Sequence, residues 1–218
     1  MLDAKISKDR VPDVYRRIAP VYDAWAWLTE RNARGRCLEL AAIRDGESVL
    51  EVAVGTGLTF LQILQANPSG QNEGIDLTPA MLRRAEARVA RTRLSSYELR
   101  VGDAYDLPFA DDSFDVLVNN YMFDLLPERD FPVVLEEFKR VLRPCGRLAM
   151  VNMTHGKRWY NGTWSIFYRI NPGLLGGCRS VSLLPFVQAS GFRDTKREYL
   201  SQFTFPSEVV FGIAESRA

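Results

Sequence analysis

The chain has 218 residues, of which 46% are hydrophobic and 25% charged, with a formal net charge of +1. That length suits one large domain that buries roughly 70% of its unfolded surface without staples, and the near-neutral balance excludes a broad field for nucleic acid. Cys37, Cys145 and Cys178 are odd in number and far apart, and His155 is the single histidine; this speaks against a disulfide framework or a zinc site and for a reducing compartment.

The opening "MLDAKISKDRVPDVYRR" carries acids and no apolar core, so it does not read as a signal peptide. No run approaches the ~18 apolar residues of a membrane span, and cytoplasm is the expected compartment. From Val14 to Leu28, Val14, Ile18, Val21, Trp25 and Leu28 recur at three- and four-residue spacing, with Tyr15 and Tyr22 beside them. This predicts a helix spanning about 11–30. It packs as an ordinary core helix, covers a pocket, or dips into a membrane surface.

Four runs then read as buried strands: Ser48–Ala53, Glu73–Asp76, Glu98–Val101 and Phe114–Asn119. Helical patterns alternate with them, "LTFLQILQA" from Leu58 and "PAMLRRAEARVARTR" from Pro79, the second with Thr78 placed to cap it. "PERDFPVVLEEFKRVL" sets Val133, Val134, Phe138, Val141 and Leu142 on one face of a helix. "RPCGRLAMVNM" is a turn with Pro144 and Gly146, then a fifth strand. Residues 154–178 are rich in Gly, Asn and aromatics, among them Trp159, Tyr160, Trp164, Phe167 and Tyr168. They read as a substrate-shaping insertion. "VSLLPFVQASGF" is a helix closed by Gly191, and Asp194–Leu200 and Glu208–Ala214 are two last strands. The expectation is one α/β domain of the Rossmann-like, doubly wound kind: a mostly parallel seven-stranded sheet with one antiparallel strand and helices on both faces.

"VLEVAVGTG" breaks a buried strand with an acid, Glu51, and two glycines, Gly55 and Gly57. In such a sheet a ligand sits beyond the strand ends where the order reverses, against free N–H groups of a glycine turn and a helix start. Asp76 ends the second strand 19 residues beyond Gly57, a separation that suits an acid on ribose hydroxyls. Asp103, after Gly102, is placed to accept from an adenine amine. A dinucleotide is disfavoured, because Phe60 stands where the third glycine of G-x-G-x-x-G belongs and Glu51 would repel a phosphate. A nucleoside with an amino-acid tail fits, and S-adenosylmethionine is such a molecule.

The runs "VLEVAVGTG", "GIDLTPAML", "GDAYDLPFADDSFDVLVNN" and "EEFKRVLRPCGRLAM" together resemble class I S-adenosylmethionine-dependent methyltransferases, closest to the ubiquinone/menaquinone-biosynthesis-like group. The resemblance covers roughly residues 10 to 153. It implies that Glu51, Ala53, Gly55, Thr56 and Gly57 surround the methionine portion; many members carry glycine where this chain has Ala53. It further implies Asp76, Leu77 and Met81 at ribose and adenine, and Asp103 and Ala104 at the adenine edge. Asn120 falls near the sulfonium and carboxylate, Tyr121 faces the acceptor, and Tyr22 of "PVYD" is a cover tyrosine at the cofactor and the reacting centre. The segment "NNYMFDLLP" and everything after His155 depart from the quinone enzymes, so the acceptor stays open.

The expected activity is in-line methyl transfer from S-adenosylmethionine to an apolar or amphipathic small molecule or lipid: quinone-like, a phospholipid amine or an aromatic metabolite. Peripheral membrane contact is compatible with this, and no nucleic acid, metal or oligomeric state is implied. His155, just past the fifth strand, is the candidate base for a phenol or acidic carbon, and a surface-loop histidine is the alternative. A non-catalytic S-adenosylmethionine-binding module shares every motif. A nicotinamide-dependent reductase shares the sheet and Asp76 but wants the missing glycine and leaves Glu51 without a role.

Overall fold

The computed structural model describes residue 23, residues 26–156 and residues 179–215. The expected cover tyrosine Tyr22, most of the helix predicted over 11–30, the aromatic insertion after Gly156 and Cys178 lie outside these residues.

The chain runs α1 (Arg31–Ala41), β1 (Ser48–Val52), α2 (Leu58–Ala66), β2 (Gln71–Asp76), α3 (Pro79–Val89), β3 (Tyr97–Val101) and β4 (Phe114–Asn120). Two 3-10 turns, Phe123–Leu125 and Glu128–Asp130, lead into α4 (Phe131–Val141), β5 (Leu142–Met153), α5 (Leu184–Ala189), β6 (Phe192–Gln202) and β7 (Phe205–Ala214). The seven strands order as β3-β2-β1-β4-β5-β7-β6. β1 to β5 pair in parallel, and β7 is antiparallel to both β5 and β6. This is the expected Rossmann-like sheet with its one antiparallel strand. The order reverses between β1 and β4, which opens a crevice at their carboxyl ends.

Strand periodicity builds two cores from one sheet. Leu50, Val52, Leu117, Leu148 and Met150 face the side covered by α4 and α5, with Phe123, Phe131 and Phe138. Val49, Val116, Val118, Ala149 and Val151 face the other side, against Ala33, Cys37 and Ala41 of α1. Both faces being apolar, the central strands read as continuous hydrophobic runs. Phe60 and Leu64 of α2 meet Ala85 and Val89 of α3 in a third cluster with Val54. At the amino ends of β1 and β2, Asn67 ties the layer together. Its Oδ1 accepts from Gly46 N–H (2.8 Å), and its Nδ2 donates to the Glu47 carbonyl (2.8 Å) and Asn72 Oδ1 (2.9 Å).

Several expectations change. β3 is a sheet edge, half-exposed with Val101 open to solvent, because no further strand covers it among the described residues. α3 stops at Val89, short of the run of arginine and threonine that ends the predicted pattern. Thr78 makes no side-chain cap to that helix; its own N–H donates to Asp76 Oδ1 (2.8 Å). On α4, Val133 is 52% exposed and Leu135 takes the inward place. The Pro144–Gly146 turn does not precede β5 but interrupts it: pairing jumps from Phe114–Leu142 to Val116–Arg147, with Cys145 at φ 65°. The helix expected over "VSLLPFVQASGF" is shorter, Leu184–Ala189, because Val181 N–H donates to the Met153 carbonyl instead; Gly191 follows it at φ 77°, as expected. Among the described residues no helix is long and apolar enough to cross a membrane, and none of their His, Cys, Asp and Glu residues group as a metal site.

Candidate functional site

The crevice holds a small pocket that opens to solvent. Its wall comprises Glu51, Ala53, Gly55, Thr56, Asn120 and Tyr121, all expected from sequence, joined by Glu30, Arg34 and Thr59, which were not. β1 delivers Glu51 because five consecutive buried residues carry the strand to the rim with the acid second from its end. β4 ends on Asn120 beside it.

Glu51 is 1% exposed. Asn120 Nδ2 donates to Glu51 Oε1 (3.4 Å) and to Thr59 Oγ1 (3.3 Å), while Glu51 Oε2 and Asn120 Oδ1 are buried with no hydrogen-bond partner. Burial raises the Glu51 carboxyl well above the usual carboxylate range, against the opposing pull of Asn120 and of Arg34. Buried polar atoms are nearly always paired, so two orphaned acceptors on one pocket wall mark a place for a donor-bearing ligand.

The glycine loop works differently from the expectation. The two glycines keep their own amides inside the fold: Gly55 N–H donates to Asp76 Oδ2 (2.8 Å) and Gly57 N–H to the Val54 carbonyl (3.0 Å). What its backbone gives is space. Gly55 (φ 57°) has nothing within 4 Å of a Cβ position, whereas a Cβ on Gly57 (φ 78°) would stand 2.9 Å from Cα and Cβ of Ala85. The close approach reserved for a third glycine in dinucleotide folds is thus made here between Gly57 and α3, and Phe60 fills the core.

Asp76 is buried at the end of β2, its two oxygens held by Gly55 and Thr78 N–H, and burial raises its carboxyl above the usual range against those two bonds. A carboxylate offers about four acceptor directions, so Asp76 can accept from further donors. Leu77 is half-buried and Met81 fully buried at the start of α3. Asp103 is half-buried with Oδ1 accepting from Tyr105 N–H (3.1 Å), and Ala104 packs on the core. These five lie along the ends of β2 and β3, outside the pocket wall just described. Tyr121, at φ 51°, lines the pocket; its hydroxyl shares a 2.8 Å hydrogen bond with Ser207 Oγ, and burial pushes its pKa far up. His155 is exposed beyond β5 and is not part of that wall.

A latch missed by sequence reading crosses the loop. Asp23 Oδ1 accepts from Thr56 Oγ1 (2.6 Å), Asp23 Oδ2 pairs with Arg88 Nη2 (2.5 Å), and Arg88 Nε donates to the Thr56 carbonyl (2.8 Å). The only hint was Asp23 in "PVYD". Arg34 had none, since "RNARGR" reads as a solvated helix face.

Residues 49–146 match the family model described as "Methyltransferase domain". Among curated relatives, an arsenite methyltransferase of Halobacterium salinarum is 33% identical over 63% of this chain and 34% of its own. A demethylmenaquinone methyltransferase of Lactobacillus johnsonii is 31% identical over 69% of this chain and 63% of its own. A nocamycin O-methyltransferase of Saccharothrix syringae is 34% identical over 63% and 49%. The chain therefore spans between a third and just under two thirds of these relatives' lengths. Among solved structures, the [4+2]-cyclase SpnF matches with a TM-score of 0.75 at 17% identity over 97% of both chains. A phosphoethanolamine N-methyltransferase of Haemonchus contortus, bound to S-adenosylhomocysteine, matches at 0.68 and 16% identity over 85% of this chain and 53% of that one. The chain has the Rossmann-like fold of the class I S-adenosylmethionine-dependent methyltransferases, and residues 49–146 within it resemble a methyltransferase domain. S-adenosylmethionine is the cofactor that fold and domain indicate, and the orphaned acceptors Glu51 Oε2 and Asn120 Oδ1 fit its ammonium-bearing tail.

Proposed function

We propose that the protein is an S-adenosylmethionine-dependent methyltransferase acting on an apolar or amphipathic small molecule. The observation that carries this reading is the pair of unpartnered buried acceptors, on Glu51 and Asn120, where the strand order reverses. Bound S-adenosylmethionine supplies a methyl group already activated by its sulfonium charge. The chain's own task is then alignment and exclusion of water. Glu51 and Asn120 hold the amino-acid tail, Asp76 the ribose, and Asp103 with Ala104 the adenine edge; the open Cα of Gly55 lets the ligand lie against the backbone. Fixed alignment contributes roughly 7–11 kcal/mol to such a displacement.

Tyr22 and Tyr121 are proposed to border the acceptor, and His155 to take its proton if the acceptor is a phenol or an acidic carbon. An apolar acceptor is favoured by the exposed Trp27 (60%) and Phe203 (66%). The carbonyls of Trp27 and Leu28 accept from Gln202, next to Phe203, so these apolar side chains share one region of the surface. Quinone-like, phospholipid-amine and aromatic acceptors remain members of the proposed class.

Titration calorimetry with S-adenosylhomocysteine tests the cofactor reading: binding by the wild type and at least about tenfold weakening in Asp76→Ala are expected. Incubation with S-adenosylmethionine and a panel of quinone, lipid-amine and phenolic acceptors should give one class a mass gain of one CH₂. Binding without any such gain would favour a non-catalytic module, or the cyclase chemistry that the same fold hosts in SpnF.

A further inference from the structure

We propose that Arg34 is the carboxylate anchor of the pocket, the residue that makes it select a ligand with a free α-amino-acid end; this rests on the S-adenosylmethionine reading above. Arg34 lies on α1, outside every motif that pointed to the cofactor. It is 7% exposed and lines the same pocket as Glu51 and Asn120. A guanidinium so buried needs acceptors for its five N–H groups, because burying a charge without partners is costly. Arg34 has poor ones. Nη1 reaches Glu30 Oε2 at 3.5 Å, Nη2 reaches the Ala26 carbonyl at 3.4 Å, and Nε has no hydrogen-bond partner. Both contacts stand at the outer limit of a hydrogen bond. Glu30, buried on the same wall, balances the charge from four residues away without filling the guanidinium fork.

One cavity therefore gathers a donor lacking an acceptor, on Arg34, and two acceptors lacking donors, on Glu51 and Asn120. An α-carboxylate with its neighbouring α-ammonium satisfies both sets, and a planar carboxylate is the shape a guanidinium fork matches. The charges agree. Two acids face one guanidinium on the wall, which favours a ligand of net positive charge. S-adenosylmethionine is one, its ammonium and sulfonium outweighing its carboxylate. A diphosphate would meet Glu30 and Glu51 unfavourably.

The test is calorimetry of the full chain with two ligands: S-adenosylhomocysteine, and 5′-methylthioadenosine, which keeps the adenosine and the sulfur but lacks the amino-acid end. The wild type should prefer the first. Arg34→Gln should weaken S-adenosylhomocysteine about 10- to 100-fold and leave 5′-methylthioadenosine within about twofold. Arg34→Lys, which keeps charge and bulk in the fold, should show the same selective loss in smaller measure. If both variants lose the two ligands alike, or either binds S-adenosylhomocysteine as the wild type does, the anchor is overturned. A wild type that binds neither ligand is a different result and removes the functional reading itself.

Discussion

A buried acid with a missing partner is held in place by the fold at a cost to stability. For Glu51 the sign is definite. Its folded-state pKa is raised, so its favourable contribution is complete below the unfolded value of roughly 4.3 and is lost as pH rises through the raised one. Glu51→Gln should therefore melt above the wild type, with a gap that widens as pH rises above the ordinary carboxylate range of roughly 4.3 in thermal scans. The same variant should bind S-adenosylhomocysteine about tenfold or more weakly by calorimetry, since an amide cannot offer a charged partner to the ammonium. Ala53, at φ 63°, sits in the left-handed region. Ala53→Gly should stabilise the protein by about 0.5–1 kcal/mol in urea titration, relief of Cβ strain outweighing the added chain entropy. Glu51 and Asp76 were legible in the sequence because an acid inside or ending an apolar run has no packing reason to be there. Arg34 was not, since a charge on a polar helix looks solvated until the fold buries it.

Among elements, the glycine loop separates two reasons for lacking a side chain. Gly57→Ala adds a Cβ against Ala85 and keeps a left-handed φ, so a loss of about 2–4 kcal/mol is expected. Gly55→Ala meets open space and only the backbone strain, about 1 kcal/mol. Urea midpoints read the difference. If both glycines served only the turn, the two losses would be equal. α2 matched its expected bounds because a left-handed Gly57 starts it and the buried spacing of Phe60, Ile63 and Leu64 continues it. β5 was misjudged at its start, since the local pattern of Pro144 and Gly146 signals a turn whether it precedes a strand or interrupts one. β3 was judged too buried: composition reports apolar residues, not which strand is left at the edge.

At the scale of the whole molecule, the far edge of the sheet is locked by Glu208. It is fully buried on β7, with Oε1 accepting from Leu183 N–H (2.7 Å) and Oε2 from Arg197 on β6. Glu208→Ala should cost about 3 kcal/mol in chemical denaturation, the partly exposed Arg197 keeping the loss below that of a fully buried pair. Affinity for S-adenosylhomocysteine should stay unchanged in calorimetry, because Glu208 is no part of the pocket wall. The chain's order, alternating strand and helix, predicted this sheet; the residue that fastens its last hairpin could not be named before β6 and β7 were brought together. Asn67 has a wider consequence. It knots the amino ends of the strands, and a methyl group added at Gly70 would fall 2.1 Å from its Oδ1 and 2.3 Å from the Glu47 carbonyl. One knot of structural hydrogen bonds thus sits at the amino pole, while at the opposite pole Glu51 Oε2 and Asn120 Oδ1 stay unspent. A lineage diverging from this scaffold is free to exchange the chemistry of its upper rim while its foundation stays fixed.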